Sequence, residues 1–254
     1  MENFVHNNSI VREIWETSDT ILLVFAGASA EFATNKAVDW LYFTGKLPSD
    51  PLGRLFSTVN YAKAIVFSKK DEAINAINRI NKIHTSVENN RGAKIPEWAY
   101  KDVLYMLIDY SIRSYEILER ELQPEEKQDV LNVFGNVGSK MGIKNLPLTY
   151  SDFEIERHKH LNENLKNGNY TKDLYKQYRK HLGLFRYRLL LESQILLLPN
   201  SVRTLLNLRK VSLLKPLISI YKIFRSLKLD WILKDIILPT AYKQDIKQLN
   251  ITTT

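Results

Sequence analysis

Apolar residues recur at spacings of three and four along most of the chain. Ile74, Ile77, Ile80, Ile83, His84 and Val87 form one stripe. Val103, Met106, Leu107, Tyr110, Ile117 and Leu118 form a longer one. Tyr175, Tyr178, Leu182, Phe185, Leu189 and Ile195 form a third. Leu213, Leu217, Ile220, Phe224 and Leu227, with Trp231 in register, carry the pattern into the last third. This spacing gathers apolar side chains on one face of an α-helix. No segment alternates apolar and polar residues between Asn-Gly or Asp-Gly turns, as hairpin strands would.

The stripes break where Pro and Gly cluster: Pro48–Gly53, Gly92–Pro96, Gln123–Pro124, Gly142–Pro147, Gly168 and Pro199. Ser151 with Glu154 has capping-box spacing and predicts a helix opening at Asp152. Pro124 after Gln123 reads as the first residue of another helix. The connections are short, and no internal repeat has a fixed period. The pattern predicts one all-α domain of roughly ten helices. It spans 1–254, with its core over about 20–200 and basic amphipathic C-terminal helices over about 201–240.

Composition narrows the chemistry. The 254 residues contain no Cys, which excludes disulfides, Fe–S clusters, thiolate zinc sites and Cys nucleophiles, and is compatible with a cytoplasmic setting. Any metal ligand must come from His, Asp, Glu or Tyr, and there are 5 His. The N-terminal run lacks the features of a signal peptide. The longest apolar stretch, Ile21–Ala28, is far short of the roughly 20 residues a membrane-spanning helix needs. Net charge is +8, and residues 201–250 hold ten cations against three acids. No zinc-finger, RNP or glycine-loop signature accompanies this charge, so no nucleic acid is expected. Apolar positions flanked by Lys215, Lys222, Arg225 and Lys228 suit peripheral contact with a membrane surface or a helix docked on the core. Pro216 and Pro239 limit the length of such a helix.

The common nucleotide, metalloprotease and hydrolase motifs are absent. His158 and His160, two apart, point to different sides of a helix and are read as polar surface residues. His6 is assigned to a frayed terminus and His181 to a basic helix. His84 differs, because it shares a face with Ile77, Ile80 and Val87. A histidine so placed is a hydrogen-bonded core residue or an axial ligand to a haem packed on that face. Upstream, Asp50-Pro51-Leu52-Gly53 reads as a turn into a helix that sets Arg54 and Thr58 four apart on one face. A guanidinium fork and a hydroxyl suit a carboxylate, a propionate or an oxygen species, or else a salt bridge and a backbone bond. Glu31 and Asp39 lie in an otherwise apolar stretch. Buried there, either could act as a base, or could pair with Lys36 or Arg54.

The run from Asp50 through Arg54 and Thr58 to Phe67, followed by Ile80-Asn81-Lys82-Ile83-His84-Thr85-Ser86-Val87, resembles the rubber oxygenase family. That family includes latex clearing protein and the ER-bound oxygenase of mycophenolic acid biosynthesis. The resemblance continues through Pro96, the helix 98–118 and the Met141–Pro147 turn, over about residues 20–165. It implies an all-α fold with a globin-like haem-bearing core and haem b held by its iron on His84. Arg54 and Thr58 fall on the family's conserved arginine and threonine. Thr34 and Asn35 stand where the family has His and Pro, and Asn81 and Glu88 stand where latex clearing protein has basic residues.

The expected function is therefore a haem-dependent oxygenase that uses dioxygen on an apolar, unsaturated, isoprenoid- or lipid-like substrate, with oxidative C=C cleavage as one outcome. Arg54 and Thr58 would orient oxygen or the haem edge, with Lys63 a weaker cationic partner, and Glu31 or Asp39 would move a proton. The alternatives are an all-α binder that holds haem or lipid without chemistry, and a haem enzyme of another reaction type.

Overall fold

A computed structural model describes residues 2–45 and 49–226, the side chains of residues 51, 52, 54–56 and 226 excepted. Leu227, Lys228, Trp231 and Pro239 lie outside the described residues. Among those described there are eleven helices and no strand. They are α1 (Ile10–Glu16), α2 (Ser18–Thr34), α3 (Asp39–Phe43), α4 (Pro51–Val66), α5 (Lys70–Arg91), α6 (Glu97–Leu118), α7 (Pro124–Lys140), α8 (Tyr150–Glu163), α9 (Asn169–Leu197), α10 (Asn200–Leu205) and α11 (Lys215–Ser226). The all-α class expected from the spacing is the observed one.

The apolar stretch Ile21–Ala28 forms the middle of α2, the central helix. Ile21, Val24, Phe25, Ala26, Ala30 and Ala33 are all buried, because α1, α6, α9 and α10 pack around it. A helix apolar on most sides belongs in the interior. It packs most extensively on α6, where Gly27 lies against the Tyr110 ring; a Cβ on Gly27 would stand 2.3 Å from Tyr110 Cδ1. Trp15 fills the adjoining core. It packs edge-on against Phe25 at 6.3 Å and donates its indole N–H to Ser111.

Several boundaries follow the sequence chemistry. Pro124 opens α7, with a reciprocal Gln123–Glu126 capping box. Asp50 caps α4 by accepting from the Gly53 amide at 2.9 Å, and a Cβ on Gly53 would fall 2.0 Å from the Asp50 carboxylate. The Asp-Pro-x-Gly spelling is thus a cap, a first-turn proline and the space for the cap to close. Helix α8 starts two residues earlier than expected. Thr149 accepts from the Asp152 amide, and Ser151 lies inside the helix.

Two other expectations are corrected. Residues 2–9 are not frayed: Val5 is buried, and the Phe4 and Lys70 amides bond across to Ser68 and Glu2 carbonyls. Helix α9 is not one continuous stripe. Gly183 adopts φ 70°, ψ 171°, which rotates the second half relative to the first. Phe185 therefore points to solvent at 64% exposure, although it continues the apolar periodicity.

Candidate functional site

A cavity of about 950 Å³ lies between α2, α4, α5, α6, α7, α9 and α11. It is at the upper end of the roughly 300–1,000 Å³ usual for ligand sites. Its walls are almost wholly aliphatic and aromatic, with Leu23 and Phe25 from α2, Leu107 from α6, Val137 from α7 and Phe224 from α11 among them. Water finds few partners against such walls, so the cavity suits an apolar occupant.

His84 stands in this wall. The α5 stripe divides by depth: Ile77 is fully buried in a neighbouring cluster, while Ile80, Ile83, His84 and Val87 line the cavity. The Tyr100 ring, from α6, meets the His84 imidazole edge-on at 5.1 Å and lines the same space. Glu88, one turn beyond His84, accepts from the Ile95 amide at 3.0 Å and from Lys94 at 2.7 Å, with the Tyr100 hydroxyl at 3.4 Å. Burial raises the Glu88 carboxyl, but these donors outweigh it and hold it below its usual range. The tyrosine hydroxyl is pushed up to about 12, by burial first and then by the Glu88 charge. An acid at this position thus fastens the α5–α6 turn beside His84.

Thr58, from the middle of α4, lines the cavity with Tyr61 and Ala62 of the same helix. Arg54 lies one turn earlier on α4, and its side chain lies outside the described residues. Lys63 is half-buried on α4, does not line the cavity, and is held down at about 8 by desolvation. Thr58 and His84 are therefore brought to one cavity from two helices.

Glu31 and Asp39 are placed elsewhere. Neither lines the cavity. Asp39 pairs with Arg91 at 2.6 Å, and that guanidinium stacks 4.0 Å over the Trp40 ring. Glu31 is fully buried and belongs to a network the sequence did not suggest. Arg157 of α8 grips its two oxygens at 2.5 and 2.6 Å, the Tyr110 hydroxyl donates at 2.8 Å, and His160 Nε2 lies at 2.9 Å. The other His160 nitrogen faces Asp102 at 2.5 Å, and Arg157 also donates to Asp109.

A carboxylate at each imidazole nitrogen favours the doubly protonated ring of His160. Burial works against that charge, but hydrogen bonds to Asp102 and Glu31 outweigh it and raise the His160 pKa. Burial likewise opposes the Glu31 charge, but Arg157 and His160 win and hold its carboxyl down at about 2. With Arg113 paired to Asp109 at 2.7 Å, three carboxylates meet two guanidinium groups and the His160 ring. The assignment of His160 to a polar surface is corrected: it is buried, whereas His158 and His181 are exposed. The available signal was Asp102 and Asp109, two turns apart within an apolar helix, opposite an Arg157/His160 pair at i, i+3.

Thr34 and Asn35 are tied into the same region. Thr34 bonds back to the Glu31 carbonyl at 2.8 Å, and Asn35 donates to Asp102 at 3.0 Å while also reaching the cavity wall. Among the described residues no group of three or more His, Asp or Glu could hold a bare metal ion, and no helix is long and apolar enough to cross a membrane.

Residues 17–225 match the family described as ER-bound oxygenase mpaB/B'/Rubber oxygenase, catalytic domain. No curated protein and no solved structure matches the chain. Helices α2 through α10 and α11 up to Arg225, and with them the cavity and His84, fall within the match. The chain belongs to this family, and its class is that of an oxygenase catalytic domain.

Proposed function

We propose that the protein is a haem-dependent oxygenase acting with dioxygen on a large, apolar, unsaturated substrate. The observation that carries the reading is an imidazole, His84, set in the wall of an apolar cavity of about 950 Å³ within an oxygenase fold. The residues present fit a haem. One histidine suffices as axial ligand, the walls are apolar, and Arg186 supplies a cationic side chain in the lining. Arg54 is the further candidate for a propionate.

A bound haem would supply the iron centre that activates dioxygen. The chain's own groups would do the rest. Tyr100 would fix the plane of the His84 ring, and Thr58 would offer a hydroxyl donor to an oxygen atom in the cavity. The aliphatic walls would exclude water and hold a hydrocarbon chain by burial. Glu31, fixed by Arg157 and His160 outside the cavity wall, suits a structural role better than proton transfer. Asp39, paired with Arg91, suits the same.

The test is an optical spectrum of protein produced with added haem precursor, followed by oxygen uptake in the presence of isoprenoid or polyunsaturated chains. A Soret band and substrate-dependent uptake are expected. Protein that shows no Soret band and takes up no haemin would overturn the reading.

A further inference from the structure

Helix α11 closes one side of the cavity, with Ile218, Tyr221 and Phe224 turned inward and Leu217 and Ile220 at its rim, half exposed. Polar contacts near the ends of α2 and α6 hold it in place. The Tyr221 hydroxyl donates to Asp19 at 3.0 Å, Arg225 pairs with Asp19 and Glu119, and Lys222 donates to the Glu119 carbonyl at 3.2 Å. The preceding loop is fastened by Glu192 of α9, which accepts from the Leu213 amide at 2.7 Å and from Ser212 and Arg209.

The outward side of this segment is also apolar. Val211, Leu213 and Ile223 are 64%, 66% and 58% exposed, and none of them lines the cavity. Exposed Lys210 and Lys215 lie beside them and form no ion pair among the described residues. They belong to a stretch in which cations outnumber acids ten to three over residues 201–250. One thin element thus carries two apolar faces, one turned to the cavity and one to the outside, with cations along its edge.

We propose that α11 and the loop before it form a docking surface for an anionic lipid bilayer, seating this wall of the apolar cavity against the membrane. Apolar side chains bordered by lysines are the combination that binds lipid headgroups and acyl chains together. The same wall faces the cavity, so α11 stands between the cavity and an apolar molecule dissolved in the bilayer. The proposal rests on the cavity and on α11, and it holds whether or not haem is bound.

The test uses the full chain and vesicles of phosphatidylcholine with or without phosphatidylglycerol. Because the protein has no cysteine, Ile223→Cys takes a single polarity-sensitive dye, with Ile155→Cys on α8 as the control. The protein should sediment with the phosphatidylglycerol vesicles at low salt and less at high salt. The dye at position 223 should shift to the blue and the dye at 155 should not. Leu213→Asp and Ile223→Asp should each weaken binding about tenfold with an unchanged melting curve. Absence of binding, equal binding to both lipids, or binding that leaves the 223 dye and both Asp variants unaffected would overturn the proposal. A dimer in solution that both Asp variants dissolve, without lipid binding, would also overturn it and assign the face to a second copy.

Discussion

Glu31 and Arg157, 126 residues apart in the chain, meet fork to fork at 2.5 and 2.6 Å in the interior, and this pair fastens α8 to the central helix α2. Both oxygens of the carboxylate are occupied twice, once by the guanidinium and once by His160 or Tyr110. A bidentate pair completed in this way is held by geometry as well as charge. Removing one member leaves a buried ion uncompensated, which costs far more than the pair contributes net. Glu31→Gln is expected to destabilise the fold by about 3–5 kcal/mol. Urea unfolding followed by circular dichroism measures it. A variant with wild-type stability and abolished turnover would instead return Glu31 to a catalytic role.

The same network sets a pH dependence with two edges. The Glu31 pKa is lowered from 4.5 to about 2. Its stabilisation is therefore complete above 4.5 and is lost as pH falls toward 2. The His160 pKa is raised above its ordinary 6.5, so its contribution is complete below 6.5 and is lost as pH rises through the elevated value. Maximal stability is expected between about 4.5 and 6.5 for these two groups together. Thermal melts across pH should show His160→Gln flattening the alkaline limb and shrinking, without removing, the acid limb, because Glu31 loses the imidazole but keeps Arg157.

How much of this could be read beforehand depended on the range of the interaction. Periodicity locates helices because it is local, and the α5 and α6 stripes appear where Ile80 and Leu107 place them; of the last stripe, Leu217, Ile220 and Phe224 lie on α11, while Leu213 falls in the loop before it. His84 was legible for the same reason, since three apolar neighbours on its own helix define its face. The Glu31 network was not. Its members come from α2, α6 and α8, and nothing within one helix reveals that Asp102 and His160 will face each other. Arg157 and His160 sit in a polar, charged helix, where burial follows from what packs on them. The Gly183 break was hidden because Leu182, Phe185 and Leu189 keep helical spacing across it. Only the backbone conformation shows that Phe185 has left the face.

Gly27 tests the packing at the centre. The Tyr110 ring lies where a Cβ would project, at 2.3 Å from Cδ1 and 2.5 Å from Cε1. The ring cannot turn aside freely, because its hydroxyl is fixed to Glu31 at 2.8 Å. Gly27→Ala should gain helix propensity on α2, worth about 1 kcal/mol. Overpacking should more than cancel that gain, for a net loss of about 1–3 kcal/mol. Adding Tyr110→Leu should relieve the clash and recover part of the loss, so a double-mutant cycle should show coupling between the two sites. Additive effects would mean that the α2–α6 contact relaxes elsewhere.

Thr58 and His84 share the cavity but should fail in different ways. His84 is partly exposed on α5 and Ile77 carries the burial of that helix, so His84→Ala should leave the melting curve of haem-free protein nearly unchanged. On the proposed haem reading it should abolish the Soret band, because His84 would be the axial ligand. Thr58→Val keeps the shape of the side chain and removes only the hydroxyl. It should retain haem and its absorption spectrum while lowering kcat on the order of 100-fold, the effect of losing one donor aimed at the reacting oxygen. Haem content per chain, measured alongside oxygen uptake, separates the two. If Thr58→Val loses haem as His84→Ala does, the hydroxyl holds the cofactor and not the oxygen. If His84→Ala keeps its Soret band unchanged, the iron ligand lies elsewhere.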